Sequence, residues 1–240
     1  MAQHAMLNRL TDHLESNECY THSMIGFQSG LSTQDAMMLI KHQIIESTCA
    51  DTTAINGLDL EKASDNISHT FILKCLRDFH VGKRAYDLVR SLLSSRSTRL
   101  KTDEFLTHET QLGPKTPQEV AISPTVFNIS LINLSRTFNK VPNINRMIYA
   151  DDITILCSSG CEGEAQGALQ EAIDMTERYL IPTRLRFSPA KSELWLNKKG
   201  PRGGFHQSWK PAMQRHITLF TCNGSPVPRV DTIRVQGIFV

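Results

Sequence analysis

No stretch of this 240-residue chain approaches the apolar length that spans a bilayer, and its first residues, Met1-Ala2-Gln3-His4-Ala5-Met6, lack the basic-then-apolar order of a secretory leader. Cysteine forms no metal-binding pattern. Cys19, Cys49, Cys75, Cys157, Cys161 and Cys222 are scattered, no Cys-x-x-Cys occurs, and Cys157 to Cys161 is one residue looser than the usual pair. The nine histidines show no ligand spacing either. These absences argue against a zinc site and against a membrane partner, and lead us to expect a soluble, intracellular protein with reduced thiols. Aromatics are only 7% of residues, so stacking on nucleic-acid bases is not advertised. Repeats and low-complexity tracts are also missing.

What is present is an ordinary globular composition, 40% hydrophobic and 21% charged, long enough to bury a sizeable core. The net charge of +2 is unevenly spread. From Lys74 to Lys101 the basic residues face only Asp78 and Asp87, and from Arg184 to Arg215 they face only Glu193. On charge alone this reads equally as a polyanion-binding surface and as solvated helix faces and loops.

Hydrophobic periodicity predicts helices at about Gln3–Leu14, from Ser32 (as cap) to near Thr48, at Ser68–Phe79, Lys83–Leu93, from Ser123 (as cap) with Pro124 at the first helical position, and at about Glu164–Leu180. Strands are expected at Thr52–Leu60, as a pair within Thr98–Gln111, on both sides of Tyr149-Ala150-Asp151-Asp152, and around Leu185–Phe187 and Glu193–Leu196. Asn223-Gly224 suggests a hairpin between Ile217–Thr221 and Ile233–Val240. The pattern predicts an α+β chain whose helices lie on one face of an antiparallel or mixed sheet, a split βαβ unit.

Two adjacent carboxylates, Asp151 and Asp152, interrupt an apolar run and fall at the tip or inner edge of a hairpin. Carboxylates there are costly to desolvate unless a positive group meets them, and hard oxygen ligands suit Mg²⁺. A surface turn is the plainer reading, because Asp is a common turn residue. Asp59 ends another expected strand. It could share metal ions with Asp151 if the strands pair, or simply cap the next segment, and spacing alone leaves both open.

Several short elements occur in order. They are Gly26-Phe27 with Leu31-Ser32-Thr33-Gln34-Asp35-Ala36, then Leu58-Asp59-Leu60-Glu61-Lys62-Ala63, then Thr116-Pro117-Gln118 with Ile122-Ser123-Pro124, then Tyr149-Ala150-Asp151-Asp152, then Leu185 with Ser188-Pro189-Ala190-Lys191-Ser192-Glu193. Over nearly its whole length the chain resembles the reverse transcriptase domain of LINE-type (non-LTR) retrotransposons, most closely those of arthropods. The resemblance implies a right-hand polymerase fold in a single domain, with about 1–51 and 81–115 fingers-like and about 52–80 and 116–240 a ferredoxin-like palm. It implies two-metal nucleotidyl transfer from dNTPs to the 3′-hydroxyl of a DNA primer on template RNA, with two Mg²⁺ ions and Mn²⁺ as a substitute. Asp59 and Asp151 would hold the metals together with the Leu60 carbonyl, and Asp152 would stand beside them. Gln118 and Phe127 would line the nucleotide pocket. Lys191 would lie near the triphosphate as a general acid, against the plain alternative of a solvated turn lysine.

The sequence departs from the family at four positions. Glu119 replaces a glycine, Ser64 an aromatic residue that floors the sugar pocket, Gln28 a basic residue, and Gln236 an apolar one in Val235-Gln236-Gly237-Ile238-Phe239. A missing thumb is also expected from the resemblance, as is a missing amino-terminal part of the fingers. Impaired polymerisation and weak exclusion of ribonucleotides are the expectations that follow. A catalytically dead remnant binding nucleic acid non-specifically is the alternative, and a metal-dependent phosphohydrolase is a third reading.

Overall fold

The computed structural model describes residues 2–46, 52–61, 63–94, 97–98, 110–111, 122–198, 217–235 and 238–239. The elements in chain order are α1 (Ala2–Ser16), α2 (Thr33–Glu46), β1 (Thr52–Asp59), the short helix α3 (Ala63–Asn66), α4 (His69–Asp78), α5 (Lys83–Ser94), β2 (Ser97–Thr98), β3 (Thr110–Gln111), α6 (Ser123–Thr137), β4 (Ile144–Tyr149), β5 (Asp152–Ser159), α7 (Glu162–Leu180), β6 (Glu193–Lys198), β7 (Arg229–Val230), β8 (Arg234–Val235) and β9 (Ile238–Phe239). They fall into two compact units. One comprises Met1–Thr21, Lys62–Ile132 and Pro182–Leu185; the other comprises His22–Glu61, Asn133–Ile181 and Arg186–Val240.

The second unit is built on a five-stranded sheet in the order β4-β5-β1-β6-β7. The first four strands pair antiparallel, and β7 adds to β6 in parallel. With α7 crossing from β5 to β6 and a helical segment between β1 and β4, this is the expected split βαβ arrangement. β1 is central and paired on both sides, and its near-continuous burial is that of a strand covered on both faces.

Because side chains alternate, the register sorts the sheet into two faces. Ile55, Leu156 and Met147 share one face and form a core with Ile25, Ala36, Ile40, Ile233 and Val235, so α2 covers part of that face. Ala54, Leu58, Ile153, Ile155, Cys157 and Leu194 line the other, also buried. α7 packs on β5 and β1 there with a stripe of Ala165, Leu169, Ala172, Ile173, Thr176 and Leu180, spaced as one helical face requires. α2 starts at a capping box: the Ser32 N–H donates to Asp35 Oδ2 (2.7 Å), and the Asp35 N–H donates weakly back to Ser32 Oγ (3.4 Å).

In the first unit, α4 opens at Ser68, whose hydroxyl accepts from the Phe71 N–H. His13 Nε2 on α1 donates to the Phe79 carbonyl at the end of α4 (2.9 Å). Leu10, Leu14, Ile72, Leu76 and Val89 are buried.

Three expectations need correction. Asn223-Gly224 does make a tight turn, with Gly224 left-handed (φ 75°), but it folds Leu219–Thr221 back on Ser225–Val227. The segment expected as its partner instead forms its own ribbon, β8 with β9. Around Leu185–Phe187 there is a single bridge, Phe187 to Leu60, in place of a strand. Finally, Ile122 O already accepts from the Val126 N–H, so Ser123 is the first residue of α6 and Ile122 occupies the cap position.

Candidate active site

Asp59 is the last residue of β1 and Asp152 the first of β5, and the register places the two directly opposite one another. Counting in twos from Ile55 and Leu156 puts both on the same face as Gly57, Thr154 and Glu193. They open onto a cavity of about 590 Å³ lined by Gly57, Asp59, Asp152, Thr154, Lys191 and Glu193, among others. All of these belong to the second unit.

Asp151 sits one residue before Asp152 in the turn between β4 and β5, and is exposed. The turn is sharp enough to hold Ala150 in the left-handed region (φ 53°), which is unfavourable for alanine. On the outer side, residues 23–25 run parallel to β4. The Ile25 N–H donates to Ile148 O (2.9 Å), and the Ile148 N–H donates to Ser23 O (2.7 Å).

Lys191 reaches the site through a tightly tied loop. The Ser188 N–H donates to the carbonyl of Asp59 itself (2.9 Å), while the Ser192 N–H (2.9 Å) and hydroxyl (2.8 Å) both donate to Ser188 O. Ser192 is fully buried, so the loop is anchored at both ends. Lys191 Nζ then lies 3.7 Å from Asp59 Oδ2, with the lysine side chain 71% exposed and the aspartate 33%. An ion pair this exposed adds at most about 1 kcal/mol, so stability does not explain it.

Two carboxylates facing each other across a strand pair repel unless a cation stands near. Lys191 supplies one such charge. Among the described residues no three His, Cys, Asp or Glu side chains stand close enough to hold an ion unaided. Leu60 offers a further oxygen. Its bridge to Phe187 is closed by its neighbours, Ser188 N–H to Asp59 O and Glu61 N–H to Arg186 O, so the Leu60 carbonyl turns away from Phe187. Carboxylates facing each other at an open cavity, with the Leu60 carbonyl next in sequence to Asp59 and turned from Phe187, are hard oxygen donors of the kind that suits a divalent ion of the Mg²⁺ type.

The structure therefore brings together Asp59, Asp152 and Lys191, with Leu60 and Asp151 adjoining them in sequence. Phe127 is buried in α6, in the first unit, and Ser64 lies in α3, where only its backbone is described. Gln118, Glu119 and Gln236 lie outside the described residues. Glu193 also lines the cavity, a role that its residue type alone did not suggest. Its signal was the alternation along β6, which needs the pairing with β1 to become legible.

Residues 1–230 match the profile of the family described as reverse transcriptase (RNA-dependent DNA polymerase). Among curated proteins, the RNA-directed DNA polymerase from mobile element jockey of Drosophila funebris is 22% identical over 197 residues, 80% of this chain and 21% of that protein. The probable RNA-directed DNA polymerase from transposon BS of Drosophila melanogaster is also 22% identical, over 77% of this chain and 21% of the relative. The chain thus spans about a fifth of these relatives' length. Among solved structures, the apo telomerase of Candida tropicalis, truncated from its C-terminal domain, superposes with a TM-score of 0.57 at 8% identity, over 83% of this chain and 41% of that one. The same telomerase with a fragment of telomeric RNA also gives 0.57, at 9% identity, over 82% and 33%. At such identities these two likenesses speak for the fold alone.

Proposed function

The chain belongs to the reverse transcriptase (RNA-dependent DNA polymerase) family, and on that premise we propose that it is the polymerase domain of a non-LTR retrotransposon. In this reading it joins dNTPs to the 3′-hydroxyl of a DNA primer along template RNA. The observation that carries the proposal is the pairing of Asp59 with Asp152 at the mouth of a cavity, with Lys191 beside Asp59.

In this reading Asp59, Asp151 and the Leu60 carbonyl hold Mg²⁺, or Mn²⁺ in its place, and Asp152 adds negative charge beside them. Bound there, the divalent ions supply charge neutralisation for the triphosphate and a lowered pKa for the attacking hydroxyl. The chain's own residues do the rest by position. The ladder between β1 and β5 fixes the carboxylates relative to each other. The Ser188–Ser192 loop holds the Lys191 ammonium where it can meet phosphate charge and give a proton to the leaving pyrophosphate oxygen. The resemblance assigns Gln118 and Phe127 to nucleotide binding. By the resemblance, Ser64 replaces the aromatic residue expected at the floor of the sugar pocket, and Glu119 replaces a glycine expected where phosphates approach. Polymerisation is accordingly impaired, and discrimination against ribonucleotides is weak. The fingers-like parts are about 1–51 and 81–115, and the palm-like parts about 52–80 and 116–240.

The test is primer extension on an RNA template with Mg²⁺, comparing the chain with Asp59→Asn, Asp152→Asn and a Glu119→Gly, Ser64→Phe double variant. Extension abolished by either aspartate change supports the reading, and a gain in the double variant locates the impairment. Extension that survives Asp59→Asn overturns the assignment of the site.

A further inference from the structure

We infer that Gly26 is a positioning residue for the Asp151-Asp152 turn, serving as the gap into which the Tyr149-Ala150 backbone fits. The inference rests on the proposed metal site. It concerns how this chain holds that site in place, from a segment far away in sequence.

Residues 23–25 are bound to the outer edge of β4, with Met24 paired to Ile148. That register sets the next residue, Gly26, level with Tyr149 and Ala150. Gly26 is buried, and its own φ does not demand glycine. Space is what demands it. A Cβ at this position would collide with the backbone nitrogen of Ala150 and stand 3.0 Å from the carbonyl carbon and 3.1 Å from the Cα of Tyr149. These are main-chain atoms, so no side-chain rotation relieves the collision, and one backbone segment has to move.

The choice of which segment moves is biased. Ile25 is buried in the same core as Ala36, Ile40, Met147 and Leu156, and Met24 is 1% exposed, so the segment carrying Gly26 is anchored. The Gln28 side-chain amide closes the following turn by donating to Met24 O (2.6 Å). On the other side, β4 up to Tyr149 and β5 from Asp152 are held by their ladder. Only Ala150 and Asp151 lie between those ladder ends, and Ala150 is already left-handed. Displacement is therefore delivered to the Ala150-Asp151 link. Other glycines differ: Gly163, in the first turn of α7, has no atom within 4 Å of an added Cβ.

The experiment measures Mn²⁺ binding by electron paramagnetic resonance, with no nucleic acid present, for four chains: the parent, Gly26→Ala, Gly163→Ala and Gly26→Ala/Ala150→Gly. Thermal melting without metal is recorded beside it. Gly26→Ala is expected to melt cooperatively and to bind Mn²⁺ about 10–100-fold more weakly, the usual cost of disturbing groups that orient metal ligands. Gly163→Ala should match the parent. Ala150→Gly frees the left-handed residue to take up the displacement, so the double variant should regain part of the lost affinity. Rescue is the readout that a general packing role for Gly26 would not move.

Equal Mn²⁺ affinity in the parent and Gly26→Ala overturns the inference while leaving the metal site standing. So does weakened binding that Ala150→Gly fails to restore. A parent chain that binds no Mn²⁺ overturns the catalytic reading and the inference with it. If Gly26→Ala does not fold but the double variant folds and binds, the collision is located at the turn and the inference stands. If neither folds, Gly26 serves folding rather than positioning, and the inference falls.

Discussion

Asn56 lies mid-way along β1 with no exposed surface, opposite Ile155 on one side and Leu194 on the other, and neither atom of its amide finds a hydrogen-bond partner among the described residues. An unmet buried amide costs about 1–3 kcal/mol, so Asn56→Leu is expected to stabilise the sheet by about 1 kcal/mol or more, read as a higher thermal midpoint. A lower midpoint would show that the amide is needed where it is. Asp35 makes the opposite case. Hydrogen bonds from the Ser32 hydroxyl and then the Ser32 N–H hold its carboxyl below the usual range. A depressed folded-state pKa means that the stabilisation is fully present above the ordinary carboxylate pKa and is lost as pH falls through the lowered value. Asp35→Asn is therefore expected to lower the melting temperature near neutrality and to converge on the parent in acid. A difference that stays constant with pH would refute the capping role. Ser32 and Asp35 were legible in the sequence because a capping box is local, its partners one helical turn apart. The facing of Asp59 and Asp152 was not, because it depends on a strand register that no local spacing encodes.

At the scale of elements, the stripe on α7 could be read from its period, and β1 could be read as a strand from its apolar run. The carboxyl-terminal hairpin was misjudged for a physical reason. Asn-Gly fixes a turn but not how far its strands extend, and Val227 closes the short loop on Leu219 before Ile233 is reached. Ile233 and Val235 were then free to join the core beneath α2. The elements also sort the thiols. Cys157, inside β5, is buried, and burial followed by the nearby Glu164 carboxylate pushes its thiol up to about 11. Burial likewise raises Cys75 on α4 to about 11. Cys161, at the start of α7, and Cys222 are exposed, and Cys222 is held above the usual thiol range by hydrogen bonding to Glu177. The thiolate is the reacting form. Among these four thiols, iodoacetamide at neutral pH is therefore expected to label exposed Cys161 first and Cys222 more slowly, with Cys75 and Cys157 labelled only after unfolding. Mass spectrometry of the native chain checks this, and rapid native labelling of Cys157 would contradict its place in the sheet.

For the molecule as a whole, the ordered motifs carried the fold and the family, because five separated segments constrain a topology that one Asp-Asp pair does not. Charge was less decisive, since a net +2 hides where the charges are. The structure divides them. On the paired helices α4 and α5, Lys74, Arg77, Lys83, Arg84 and Arg90 are all exposed against exposed Asp78 and Asp87. These residues belong to the first unit, whereas the facing carboxylates belong to the second. Phosphate binding and catalysis should therefore separate under mutation. Counterion release makes each phosphate contact worth about 0.7 in the slope of log affinity against log salt for a single strand. Reversing three charges, Lys83→Glu with Arg84→Glu and Arg90→Glu, is expected to flatten that slope by up to about 2, while Asp59→Asn leaves it nearly unchanged. Fluorescence anisotropy with single-stranded RNA across a salt series gives the slopes directly. An unchanged slope in the triple variant would mean that α4 and α5 do not meet phosphates. The opposite result, with Asp59→Asn altering the slope and the triple variant leaving it alone, would move nucleic-acid contact onto the face that carries the carboxylates.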